Sequence, residues 1–324
     1  METVLVSIHC ATFNHEKYIA EAIKGFLMQK TNFKFEILIH DDASTDRTAD
    51  IIREYEKQHP DIIKPIYQTV NQYSAGQSIS RINLERAQGK YIAICEGDDY
   101  WTDPYKLQKQ ADYMESHPEC SLCVHGGYVV NASDKTFISK IRANKGNKVF
   151  HTEEVIEGGG ALFVTNSMFY PLEYANNRPD FFKIAPVGDY PLTINLSLLG
   201  TVYYMDEFMS AYRTGVSHSW TDRNASSISK KVEHYSKIAA MLDEVNKYTV
   251  GQFEKAIERR KYYDQLLLLV EQRKYKEARS GENKEFYVAL NYKRRMVIFF
   301  DQYCPIILKF ARMAKRSWGK WAMR

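Results

Sequence analysis

The chain is poor in cysteine, and the five it has fall at unrelated spacings: Cys10, Cys95, Cys120, Cys123 and Cys304. An odd, scattered set gives no disulfide framework, which points to a reducing cytosol. Cys120 and Cys123 form a single C-x-x-C with no second pair, too few donors for a zinc site, so they read as structural. Long apolar runs are also missing. The best candidate for a membrane span is interrupted by Asp301, Gln302 and Lys309, well short of the roughly 18 apolar residues a span requires. No basic segment precedes the first apolar run, so no signal peptide is read. Neither G-x-G-x-x-G nor G-x-x-x-x-G-K-[ST] follows that run, which removes the usual dinucleotide and P-loop explanations. Repeats and low-complexity tracts are absent.

Charge of one sign is missing from the C-terminus. Residues 302–324 hold six basic side chains (Lys309, Arg312, Lys315, Arg316, Lys320, Arg324) and no acidic one, so the rest of the chain, formally +4 as a whole, is slightly acidic. A net-acidic body argues against nucleic acid as a partner. On a helix from Pro305, Ile307, Phe310, Ala311, Ala314, Trp318 and Trp321 share one side and the basic residues the other, a pattern that suits an anionic membrane surface. Docking on the chain's own domain or on a second copy explains an apolar stripe equally well, so a homo-oligomer is left open.

What is present is an alternation of short apolar runs and amphipathic segments. Runs at 4–8, 35–39, 62–67 and 91–95 read as strands. Between them lie a helix with Ile19, Ala22, Ile23, Phe26 and Leu27 on one stripe, a helix from about Arg47 to Lys57 capped by Thr45 or Asp46, and one near 79–87 ended by Gly89. Asp103 and Pro104 are expected to start another helix carrying Leu107, Ala111 and Met114. The pattern implies an α/β, doubly wound, mostly parallel sheet. Residues 120–212 read as strand-rich and irregular, with a break at Gly158-Gly159-Gly160, and the chain beyond 226 as helical and highly charged. The expected division is 1–225 (halves 1–118 and 119–225), then a helical region 226–324 with a basic tail over 305–324.

Two acidic clusters follow two of these strands: His40-Asp41-Asp42-Ala43-Ser44-Thr45-Asp46 and Glu96-Gly97-Asp98-Asp99. In such a sheet the carboxyl ends of the strands border the ligand crevice. Carboxylates placed there without partner charges call for a cation or a hydrogen-bonding ligand; Mg²⁺ or Mn²⁺ with a nucleotide diphosphate satisfies both.

Val6-Ser7-Ile8, Ala11-Thr12-Phe13-Asn14, Asp41 to Asp46, and Gly89-Lys90-Tyr91-Ile92 leading to Glu96-Gly97-Asp98-Asp99 resemble the family 2 inverting glycosyltransferases of the GT-A fold. The run Glu-Gly-Asp-Asp-Tyr-Trp-Thr-Asp-Pro is similar to members that build bacterial surface polysaccharides. The resemblance covers about the first 215 residues and implies a GT-A, Rossmann-like sheet with a helical extension. It implies that Ala11, Thr12, Phe13, Asn14 and Glu16 border the nucleotide, that Asp42 binds the base, and that Glu96, Asp98 and Asp99 contact ribose and metal. Glu96 stands where the family usually has Asp. Val187-Gly188-Asp189-Tyr190-Pro191-Leu192 resembles the segment bearing the catalytic base, here Asp189. Tyr212-Arg213 to His218 resembles the loop that closes over the diphosphate, with His218 as a further metal ligand; Arg81 and Asn83 are placed near the donor. The Q-x-x-R-W signature of processive relatives is missing, which implies one sugar per binding event.

The implied activity is a metal-dependent hexosyl transfer with inversion, from a UDP-sugar to a saccharide or lipid-linked acceptor, by a cytoplasmic protein peripheral on the inner face of the membrane. Two alternatives stand beside it: a nucleotidyltransferase with a similar crevice, and a catalytically silent nucleotide-binding scaffold. Asp41 reads as a turn or cap residue, Asp189 also suits a helix cap, and Trp101, His9, His40 and His125 read as core.

Overall fold

The computed structural model describes residues 3–176, 178–216, 227–290 and 292–306. Its first half follows the expected alternation: β1 (Val4–Thr12), α1 (Ile19–Leu27), β2 (Lys34–Asp41), α2 (Thr48–Gln58), β3 (Ile63–Tyr67), α3 (Ile79–Leu84) and β4 (Tyr91–Ile94). β1 pairs in parallel with β2 on one side and β4 on the other, and β3 lies outside β2. The chain therefore winds outward from β1 to β3 and then returns across the sheet to lay down β4. That reversal is the switch point at which a crevice opens between strand ends. Register sets Thr12 beside Asp41 and His9 beside Ile94, so the segments following β1, β2 and β4 meet.

The second half contains β5 (Tyr100–Trp101), α4 (Lys106–Ser116), β6 (Cys120–Asn131), β7 (Phe137–Ile141), β8 (Lys148–Phe150), α5 (Thr152–Gly158), β9 (Phe169–Pro171), α6 (Glu173–Asn176), α7 (Phe181–Ile184), α8 (Asp189–Leu199) and β10 (Thr201–Thr214). β9 runs antiparallel between β4 and β6, while β10 is parallel to β6 and carries β5 and β8 antiparallel to itself. The sheet is GT-A in form: parallel around β1 and mixed beyond it. The strand-rich reading of this half misses α5 and α8. Every residue of α8 from Tyr190 to Ser197 is buried, so no amphipathic period betrays it.

Side-chain alternation along the strands divides the core between two faces. Tyr91, Ala93 and Cys95 join Val6, Ile8, Cys10 and α1 on one face. Ile92 and Ile94 join Leu122, Val124 and α8 on the other. Helices α9 (Ile228–Tyr248) and α10 (Glu254–Glu271) feed Ile238, Met241, Leu242, Val245, Ala256 and Ile257 into this second cluster. α11 (Tyr275–Ala278), α12 (Asn283–Ala289) and α13 (Tyr292–Tyr303) build a smaller cluster around Leu266 and Ile298.

Two helix boundaries are corrected. α3 ends at Leu84 with Glu85 at its C-cap, so Gly89 is not a cap. Its requirement is space, because a Cβ there would stand 2.5 Å from the Ser7 backbone nitrogen. α4 begins at Lys106 rather than Pro104, and Asp103 Oδ1 accepts from the Tyr105 amide at 2.7 Å. Gly89→Ala is expected to cost about 1–3 kcal/mol through overpacking, read as a lower denaturant midpoint at unchanged slope.

Candidate active site

The turns after β1 and β2 are zipped together. Asn14 adopts φ 55°; its Oδ1 accepts from the Thr45 amide at 2.8 Å, and its own amide donates to Ser44 Oγ at 2.9 Å. The His15 amide donates to Thr48 Oγ1 at 2.8 Å and the Glu16 amide to Asp46 Oδ2 at 3.1 Å, while Glu16 Oε2 accepts from the Arg47 amide at 3.1 Å. The side-chain oxygens of Asn14 and Glu16 thus build the wall between the two turns. Asp41 bonds Ser44 at 2.5 Å and is a turn residue. Phe13 is left 40% exposed beside them.

Asp42 is buried, and its carboxylate accepts from the Gln72 amide at 2.7 Å and the Tyr73 amide at 3.1 Å, with His40 Nε2 at 3.5 Å. These take three of the roughly four acceptor positions of a carboxylate. A fourth position is left over.

The acidic turn is drawn against β1. The Gly97 amide donates to the Ala11 carbonyl at 2.9 Å, and the Asp42 amide to the Thr12 carbonyl at 3.0 Å. A Cβ on Gly97 would meet Thr12 Oγ1 at 2.7 Å and His15 Nδ1 at 3.1 Å. Those two atoms are buried and unpartnered among the described residues. Asp98 Oδ2 lies 3.9 Å from His15 Nε2. Asp99 departs from expectation. It is buried, Oδ1 accepting from the Arg213 amide and Oδ2 from Asn166 Nδ2, both at 2.9 Å. Its assignment as a metal ligand is corrected: Asp99 faces the protein and anchors the turn.

Asp189 opens α8, with Thr165 Oγ1 at 3.2 Å from Oδ2 and the Tyr190 amide at 2.8 Å from Oδ1. Burial pushes its carboxyl above the usual range, a shift that strengthens it as a base near neutral pH. Glu96 is solvent-exposed as a residue, but its carboxyl end is crowded by protein atoms. That crowding, then the charges of Asp98 and Asp189, push its carboxyl up to about 8. Glu96 thus lies within electrostatic reach of both Asp98 and Asp189. Oxygen donors of this kind suit a hard divalent cation, although no group of three metal-ligating side chains is gathered among the described residues.

Residues 7–169, half of the chain, match the family described as glycosyl transferase family 2. The chain is a family 2 glycosyltransferase. It is similar, at 34% identity over 249 residues, to an uncharacterized protein of Mycobacterium tuberculosis, covering 74% of this chain and 69% of that one. A 113-residue stretch is 37% identical to Escherichia coli WfaP, named a UDP-Glc:alpha-D-GlcNAc-diphosphoundecaprenol beta-1,3-glucosyltransferase, covering 35% of this chain and 42% of that protein. The fold resembles that of S. aureus TarS 1–349 in complex with UDP-GlcNAc, with a TM-score of 0.57 and 15% identity over 92% of this chain and 79% of that one.

In this glycosyltransferase Arg213 is not presented to a diphosphate, which corrects its expected role. Its guanidinium is 1% exposed, pairs with Glu21 of α1, donates to the Asp98 carbonyl, and lies over the rings of Tyr100 and Tyr18 at 4.4 and 5.1 Å. The Arg81 side chain is 78% exposed and pairs with Glu85 at 2.7 Å. Its neighbour Asn83 is buried against His9 and the Leu38 carbonyl. His218 lies outside the described residues. His15, Glu21, Thr165 and Asn166 escaped the sequence reading. His15 sits in a turn already singled out, whereas Thr165 and Asn166 have no local signal.

The C-terminal helices support the Asp189 segment. Arg260 of α10 donates to the Glu157 and Gly158 carbonyls at 3.3 and 3.1 Å, closing the end of α5. Tyr190, next to Asp189, donates from its hydroxyl to the Ile156 carbonyl at 2.6 Å. The glycine break serves this contact, because a Cβ on Gly159 would collide with the Arg260 guanidinium.

The raised Glu96 carboxyl makes a stability prediction. The folded chain holds this proton between an ordinary value of 4.5 and about 8, a range in which the unfolded chain has lost it, so stability falls as pH rises through that window. Glu96→Gln removes this component. The melting temperature of the variant minus that of wild type, in the absence of metal, is expected to rise steadily across that window.

Proposed function

We propose that this glycosyltransferase moves a single sugar from a UDP-sugar to a saccharide or lipid-linked acceptor, with inversion, in the synthesis of bacterial surface polysaccharide such as capsule. The observation that carries it is that the Asp42 turn and the acidic turn are both hydrogen-bonded to the end of β1, with Asp189 in electrostatic reach of Glu96, at the switch point of the sheet. UDP is favoured by the WfaP donor and by the UDP-GlcNAc held by TarS, and the lipid-linked acceptor by the WfaP name. Residues 1–118 carry the donor and 119–225 the acceptor. The basic tail brings the enzyme to the inner face of the membrane, where such acceptors are found.

Asp42 accepts a base N–H while Phe13, exposed beside it, offers a planar surface. Asp98 and Glu96 hold Mg²⁺ or Mn²⁺, which when bound supplies Lewis-acid stabilisation of charge on the leaving diphosphate. Asp189 takes the proton of the acceptor hydroxyl as that oxygen attacks the anomeric carbon from the face opposite the diphosphate. Its raised proton affinity suits that step, and Thr165 and the α8 amide fix its orientation.

Calorimetric titration with UDP, GDP, CDP and ADP, with and without Mn²⁺, tests the reading. Metal-dependent binding of UDP that disappears in Asp98→Ala is the expected result. Failure of every diphosphate to bind overturns it.

A further inference from the structure

Helix α13 is anchored on one side only. Ile298 is buried with Leu266, Leu269, Tyr275 and Leu290. Asp301 accepts from the Tyr275 hydroxyl at 2.5 Å, and Arg294 donates to the Tyr263 hydroxyl at 2.8 Å. The outward side is not polar. Tyr292, Met296, Phe299 and Tyr303, exposed by 69, 37, 48 and 57%, recur at spacings of four, three and four, which places them on one stripe, with the Arg279 guanidinium 6.0 Å from the Tyr303 ring at its end. An outward stripe of this size on a fixed helix marks an interaction surface.

We propose that this stripe is a membrane-contact face and that α13 lies in the plane of an anionic bilayer. The inference deepens the membrane part of the reading above by naming a folded surface that makes the contact, separate from the tail. Charge selects the occupant. Lys293 and Arg295 flank the start of the stripe, and the chain from 302 onward adds six basic residues and no acidic one. A second copy docked through the same face would bring these positive flanks together, which opposes association. Anionic headgroups neutralise them while the acyl boundary receives the aromatic stripe. With 12 residues α13 is too short to span, since about 20 are needed, and no helix among the described residues is long and apolar enough to cross a membrane. Contact in the plane is the geometry left.

The test is flotation of the full chain with vesicles of phosphatidylcholine alone or mixed with phosphatidylglycerol, using wild type and the double variant Phe299→Ser, Tyr303→Ser. Wild type is expected to float only with phosphatidylglycerol, and the variant to lose at least about tenfold in vesicle affinity, as two aromatic anchors leave the interface. Equal flotation of the variant overturns the proposal and assigns membrane binding to the tail charges alone. So does absence of wild-type flotation; if the variant then also lowers the mass in light scattering, a second copy is the occupant. UDP titration of the same samples separates the two readings. A variant that binds UDP as wild type does is folded, and a wild type that floats without binding any diphosphate overturns the donor-site reading but not this one.

Discussion

Asp189→Asn is expected to lower kcat by about 10²–10⁴-fold, the span usual for loss of a positioned general base, with UDP affinity unchanged. The amide is isosteric, so the bonds from Thr165 and the Tyr190 amide can be kept while the proton acceptor is lost. A separate helix-capping role would appear as lost stability, a different readout from lost turnover. Single-turnover kinetics at saturating acceptor, set beside calorimetric UDP affinity and a melting curve, resolves the two. A variant that turns over at the wild-type rate removes Asp189 as the base, and the scaffold alternative then gains ground.

Arg213→Met is expected to be the most destabilising of the substitutions discussed, by about 3 kcal/mol, near the lower end for breaking a buried ion pair. Glu21 keeps Lys135 as a partner at 2.6 Å, which tempers the loss. The substitution also removes a charged donor from the Asp98 carbonyl, so the acidic turn loses one of its fixings. Metal affinity in the presence of UDP is therefore expected to fall together with the denaturant midpoint. Arg213→Lys restores the charge but not the two-pronged reach, and is expected to recover part of the stability and little of the metal affinity. Wild-type metal affinity in a well-folded Arg213→Lys would show that the guanidinium serves stability alone.

The half of the fold that could be read from sequence is the half in which each element carries its own periodicity. The strands through β4, the stripe of α1 and the two acidic turns were all visible because their burial is one-sided or their turns are chemically marked. α8 was not, since burial on all sides erases the pattern. Within the candidate site, Asp42 and Asp98 stand in the turns after β2 and β4, and Asp189 at the start of α8. The ligand roles given to Arg213, Asp99, Asn14 and Glu16 came from the family resemblance, and the contacts that hold these side chains were not legible. Their partners come from segments far away in the chain, Glu21, Asn166, Thr45 and Arg47, and no local window contains such pairs. Gly89 was misread for the same reason, its constraint being the Ser7 backbone across the sheet.

The sharing of one apolar core between α8 and the helices at 228–271 sets where the gene can be cut. A protein shortened after Thr214 loses Ile238, Met241, Leu242 and Val245 from the cluster that also holds Ile156, Tyr190 and Ile194, exposing a greasy surface on the half that carries Asp189. Such a fragment is a candidate for inclusion bodies rather than a minimal catalytic core. For the same reason, a chimera that borrows another enzyme's acceptor half must take the companion helices with it, and a library aimed at acceptor choice must treat residues near Arg260 as part of the site.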